Sequence, residues 1–266
     1  MGKTKEYTTK RFVLSLVAIG LLFVFVMGVM LAAFGVLFAV MVGGAVFLIT
    51  KSGNNGTLQL DFEDCSGGLL VTGTTVFETK KIIIPNEVDG VPVIGIKEGA
   101  FEGNEKLTEI VLPSSLRSVE ANAFDGCVNL KEVIFPDTIE YIGDEAFFGC
   151  SSLERVVFGE NLRFIGNNAF SDCDSLCEIN IICAEEIGMQ AFYACGKLES
   201  IVLAESVDKI GMAAFYGCTS VKSLEIKGGE FVIGGQYVVT RDELSMTSHM
   251  ITILTDTYSQ FDWLRR

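Results

Sequence analysis

The residues best suited to chemistry in this 266-residue chain are its eight cysteines, and their spacing sets what they do. Five of them, Cys127, Cys150, Cys173, Cys195 and Cys218, each follow a phenylalanine by three residues and recur every 22 or 23 residues. A zinc centre gathers its ligands through close pairs such as C-x-x-C. No C-x-x-C occurs, and the one histidine, His249, has no H-x-x-x-H partner. Cysteines returning at a fixed long interval instead stack in a column, one per turn of a repeat. Rungs about 4.8 Å apart permit a disulfide between neighbours, but a small apolar thiol also suits a tight, reduced core. Cys177 and Cys183 fall off the column. Cys177 takes an outward position, which leaves three readings: a reactive thiol, a local pair with Cys183, or a neutral substitution.

Other catalytic patterns are missing from the sequence. There is no G-x-S-x-G, no phosphate-binding loop and no metal-binding histidine pair. Glu185 and Glu186 are neighbours on an expected turn, not opposed carboxylates. No catalytic residue, cofactor or metal is therefore expected, and the chain reads as a non-enzyme.

The elements that position these residues form a repeat. The Ala-Phe pair returns at Phe101, Phe124, Phe147, Phe170, Phe192 and Phe215, separated by 23, 23, 23, 22 and 23 residues. Self-similarity at this period marks a solenoid. Three residues beyond the cysteine position stand Leu107, Leu130, Leu153, Leu176, Leu198 and Val221, each opening a short strand such as Ile110-x-Leu112 or Val133-x-Phe135.

Charge divides the chain. Between Arg11 and Lys51 lie 39 residues without a formal charge, beyond the roughly 18 that suggest a membrane helix. Residues 1–51 carry Lys3, Lys5, Lys10, Arg11 and Lys51 against Glu6, a net of +4; the other 215 residues hold 15 basic and 33 acidic side chains, a net of −18. So acidic a body offers no basic patch for nucleic acid. It reads as a solubilising surface or as a face for basic partners.

The expected organisation follows: a basic flank at 1–11, a transmembrane segment at 12–50, a polar linker at 51–57, an N-terminal cap with an incomplete first repeat at 58–96, repeats at 97–226 and a C-terminal cap at 227–266. As one helix, 12–50 would run about 58 Å, against a hydrocarbon core of about 30 Å. Length therefore favours a helical hairpin turning near Ala32-Ala33, whereas the excess of basic residues before the run favours a single span with the solenoid outside. In the C-terminal cap, 231–240 and 250–254 read as strands, and the terminal Trp263-Leu264-Arg265-Arg266 as packing within it.

The phrase Ile-Gly-x-x-Ala-Phe-x-x-Cys-x-x-Leu-x-x-Ile-x-Leu-Pro resembles the BspA-like, or Treponema pallidum type, class of leucine-rich repeat over about residues 81–226. The lead-in Ile84-Pro85 to Asp89-Gly90-x-Pro92-Val93 also looks like that family. Glu120 departs from it where Gly143, Gly166, Gly188 and Gly211 stand, and the unit between Ile181 and Ile187 is one residue short. The resemblance implies an α/β-type, β-rich leucine-rich-repeat solenoid with capped ends, commonly displayed at a cell surface for adhesion or protein binding.

Alternation along each rung strand turns two columns outward. One reads Glu109, Glu132, Arg155, Glu178, Ser200, Ser223; the other Val111, Ile134, Val157, Asn180, Val202, Glu225. A contiguous exposed apolar strip marks a partner surface, although β-branched residues also favour strands intrinsically. The expected role is a membrane-anchored, extracellular protein binding host or other extracellular proteins through Glu109, Val111, Glu132, Ile134, Arg155, Val157, Glu178, Asn180 and Val202. The alternatives are a scaffold facing the cytoplasm or a structural envelope protein.

Overall fold

The computed structural model describes residues 38–42, 45–49, 60–74, 79–181, 183–226, 230–233 and 237–240. The chain falls into two compact units, Met1–Gln59 and Leu60–Arg266.

In the first unit the described elements are two strands, Phe38–Val42 and Ala45–Ile49, paired antiparallel from Phe38 opposite Ile49 to Val42 opposite Ala45. This corrects the helical expectation for the last third of the apolar run. The strands hold Val40, Val42, Val46, Phe47 and Ile49, residues that suit a pleated surface. The two positions between them are Gly43 and Gly44, which oppose a continuous helix and suit a two-residue hairpin. The rest of the expected transmembrane segment, the basic flank and the linker lie outside the described residues. Among the described residues no helix is long and apolar enough to cross a membrane.

The second unit is a solenoid whose rungs each lay down two strands. Sheet A is made of Lys81–Ile83, Glu109–Val111, Glu132–Ile134, Arg155–Val157, Glu178–Ile181, Ser200–Leu203 and Ser223–Ile226. These pair in parallel as groups of two, two and three strands. Sheet B is continuous: Val91–Ile96, Ser118–Val119, Tyr141–Ile142, Phe164–Ile165, Glu186–Ile187, Lys209–Ile210 and Glu230–Ile233 run parallel, neighbour to neighbour. An antiparallel hairpin stands at each end, Leu60–Cys65 with Gly68–Thr74 and Glu230–Ile233 with Tyr237–Thr240. Such ends spare a terminal rung from exposing its apolar face.

No helix occurs among the described residues, so the α component of the expected class is absent there. The connection from sheet B back to sheet A is a chain of turns, with left-handed backbone at Gly103, Gly126, Gly149, Asp172, Ala194 and Gly217 (φ 57° to 81°). A left-handed residue breaks helical hydrogen bonding. The backbone bonds instead run from rung to rung: Phe124 N–H donates to Ala146 O at 2.7 Å and Phe147 N–H to Ala169 O at 2.8 Å.

The interior repeats column by column. Phe101, Phe124, Phe147, Phe170, Phe192 and Phe215 stack with ring centroids 4.9–5.3 Å apart and are fully buried. Phe135 and Phe158 meet the Phe147 and Phe170 rings edge-on at 5.8 and 5.7 Å. Where Gly166 passes Gly143 a Cβ on Gly166 would stand 2.4 Å from the Gly143 carbonyl carbon, and one on Gly143 would stand 2.6 Å from the Ala121 nitrogen of the rung before, so each glycine lets its rung approach the preceding one. Glu120 opens that column, and its Oε2 accepts the Glu98 N–H at 3.2 Å.

Candidate functional site

Sheet A presents to solvent the two columns read from alternation. Glu109, Glu132, Arg155, Glu178 and Asn180 are exposed, Ser200, Val157 and Val202 half-buried, while Ile110, Val133, Val156, Ile179 and Ile201 between them are buried. Val111 is 40% and Ile134 53% exposed, which is high for β-branched aliphatic side chains. The strip begins one rung earlier than alternation in the repeats indicated, at Ile83, which is 58% exposed and in register with Val111. The signal was present in Lys81-Ile82-Ile83-Ile84-Pro85, a strand that lacks the Ala-Phe turn before it and so falls outside the repeat count.

Charges along this face are partly neutralised from rung to rung. Lys81 pairs with Glu109 at 2.5 Å, and Arg155 pairs with Glu132. Ser223 and Ser200 share a hydroxyl hydrogen bond of 2.9 Å. From Lys81 to Arg155 the apolar column therefore runs beside charges that are already partnered, so covering it there costs less desolvation than covering free ions would.

Between Arg155–Val157 and Glu178–Ile181 strand pairing in sheet A is interrupted. A depression of about 350 Å³ opens there, lined by Arg155, Val157, Glu178, Asn180, Ser200 and Val202 among others. It gathers five of the nine expected contact residues. Glu109, Val111, Glu132 and Ile134 lie on the two preceding rungs of the same face, outside the depression.

The cysteine column is interior. Cys127, Cys150, Cys173, Cys195 and Cys218 are buried free thiols, and each Sγ donates to a phenylalanine carbonyl of the preceding rung at 3.1–3.4 Å. Burial pushes the Cys127 thiol up to about 12 and holds Cys150 and Cys173 well above the ordinary value. Cys195 is raised too, first by the neighbouring Cys218 thiol and then by burial. Since the thiolate is the nucleophile and the metal ligand, these side chains act as packing groups and weak donors.

Cys177 is exposed and Cys183 half-buried; both are free, at opposite ends of Glu178–Ile181, so the local pair weighed from sequence does not form. Glu185 and Glu186 are each taken up by a base one rung away: Arg163 grips both Glu185 oxygens at 2.9 and 3.1 Å, and Lys209 meets Glu186 at 3.2 Å. The guanidinium holds the Glu185 carboxyl below its usual range. Among the described residues no group of three or more His, Cys, Asp or Glu is arranged to hold a metal. His249 and the terminal Trp263-Leu264-Arg265-Arg266 lie outside the described residues.

Sequence reasoning missed one surface feature. On sheet B Tyr141 and Phe164 are cross-strand neighbours with ring centroids 5.2 Å apart and planes within 7°, and Tyr141 is 40% exposed. The signal was the residue before each inward isoleucine, but two-residue strands are too short to display alternation.

Comparison with known proteins matches this geometry. A family model described as a BspA type leucine-rich repeat region matches six copies over residues 75–185 and 185–237. The crystal structure of a T. pallidum leucine-rich repeat protein is 30% identical, covers 70% of this chain and 90% of its own, and superposes with a TM-score of 0.61. A leucine-rich repeat protein from Eubacterium ventriosum is 18% identical with a TM-score of 0.53, over 65% of this chain and 48% of its own. A leucine-rich cell surface protein from Faecalibacterium prausnitzii is 16% identical over 68% of this chain and 96% of its own, with a TM-score of 0.39. A search of curated proteins found no match.

Proposed function

We infer the role of this chain from the family to which it belongs, the BspA-type leucine-rich repeat proteins: it is a non-enzymatic scaffold that binds a protein partner through sheet A. Repeat folds of this kind serve as extended binding surfaces. The observation that carries the reading is the exposed strip Ile83, Val111 and Ile134, continued by half-buried Val157, flanked by partnered charges and leading into the depression at Asn180 and Val202. The variant Val111→Lys with Ile134→Lys and Val157→Lys keeps its unfolding midpoint and loses the partner recovered with the parent chain; a retained partner would remove this face from consideration.

The finer part of the reading is anchoring at the membrane with the solenoid outside the cell, in an adhesin-like role. With 38–42 and 45–49 in strands, residues 12–37 are left as the stretch proposed to cross, 26 uncharged residues. As a helix they would reach about 39 Å, which one tilted span absorbs. The basic residues before the run favour the same orientation. Protease added to intact cells is expected to remove a C-terminal epitope; protection until lysis would transfer the binding role to a scaffold facing the cytoplasm.

A further inference from the structure

We propose that the outward side of sheet B is a second docking surface, one that takes an arginine-rich segment of a protein partner and seats a guanidinium against the Tyr141–Phe164 stack. This rests on the protein-binding reading above but uses the opposite sheet. The two rings lie in a depression of about 360 Å³ whose remaining lining is charged: Glu140, Arg163, Glu185, Glu186, Asp208 and Lys209. Both bases are already committed, Arg163 to Glu185 and Lys209 to Glu186. Glu140 and Asp208 are exposed and make no ion pair among the described residues. What the surface leaves unanswered is therefore negative charge beside an aromatic pair.

An adjoining depression of about 460 Å³ shares Glu140, Arg163 and Glu185 and adds Glu160 and Arg117. Together the two hold five carboxylates, Glu140, Glu160, Glu185, Glu186 and Asp208, against Arg117, Arg163 and Lys209. Carboxylates also bear on the ring itself: after burial, Asp144 and Glu120 raise the Tyr141 phenol. Arginine fits better than lysine, because a planar guanidinium stacks on an aromatic ring while its edge pairs with a carboxylate. The net of −18 beyond residue 51 steers such a segment toward the protein.

The test uses the full-length chain and a fluorescent oligoarginine peptide read by anisotropy. Tyr141→Ala and, separately, Glu140→Gln with Asp208→Asn each weaken binding roughly fivefold or more with unchanged unfolding midpoints. Glu102→Gln with Glu105→Gln removes the same charge from the turn side and leaves affinity within about twofold, as does Ile134→Ser on sheet A. Equal losses from the turn-side control would assign the attraction to the overall field and overturn the site, as would a parent chain that binds no peptide. Because Ile134→Ser probes sheet A alone, failure of the sheet A reading leaves this result standing.

Discussion

The interior and the exterior of the same rungs obey different rules. Inside, one position holds phenylalanine in six successive rungs, with centroid spacings of 4.9–5.3 Å. Outside, the position before each inward valine or isoleucine of sheet B runs Ser118, Tyr141, Phe164, Glu186, Lys209. A stacked column penalises every departure in shape, because each ring is packed by the rungs on both sides. An outward side chain loses little when changed, so it is free to serve a partner. Recognition should therefore be sought where the repeat drifts, and stability where it does not.

The sharpest way to break that contrast is to cut one ring from the stack. Phe147 is fully buried between Phe124 and Phe170 and meets Phe135 edge-on. Phe147→Ala should cost about 3–5 kcal/mol in denaturant unfolding. Ile134→Ser on the exposed strip should stay within about 0.5 kcal/mol. Similar costs at the two positions would erase the distinction between interior and exterior.

Two glycines sharpen it further by separating close approach from backbone strain. A Cβ on Gly166 would stand 2.4–2.6 Å from the backbone of Gly143 and Asp144, which cannot move without parting the rungs. On Gly149 it would meet nothing within 4 Å, but φ is +66°. Gly166→Ala is thus expected to cost about 3 kcal/mol, and Gly149→Ala about 1 kcal/mol from left-handed strain alone. Chemical denaturation of both variants checks the order; the reverse would mean that the rungs slide apart easily.

This division also decides what could be read in the sequence. Phe, Cys and Gly recur at fixed offsets because each fills a constrained interior slot, so the solenoid was legible from period alone. The outward columns of sheet A were legible because three-residue strands such as Glu132–Ile134 show one full alternation, exposed–buried–exposed. The break in sheet A after Arg155–Val157 was not, since pairing between strands depends on how successive rungs lie on one another. The strands at 38–49 were hidden for a different reason: a continuous apolar run has no period to distinguish helix from strand. Gly43-Gly44 is a local signal against a helix, because glycine is a weak helix former.

The smallest expected effect separates two exposed regions by the sign of their electrostatics. On sheet B, Arg163 lowers the Glu185 carboxyl. On the turn side Asp125 is raised above its ordinary 3.8, first by burial and then by Glu102 and Glu145. A carboxyl raised on folding stabilises the fold in its protonated form, so the benefit is present below 3.8 and fades as pH climbs through the raised value. Glu185 acts oppositely, adding stability above its ordinary range and losing it as acid protonates the carboxylate. Asp125→Asn should therefore raise the melting temperature slightly at pH 7, by less than Gly149→Ala lowers it, and should converge with the parent in acid. Glu185→Gln should lower it slightly at pH 7, and added salt should shrink that difference. Melting curves at the two pH values check both signs. Matching signs would mean that the acidic body acts as one diffuse field, and the turn side and sheet B would then no longer be electrostatically distinct surfaces.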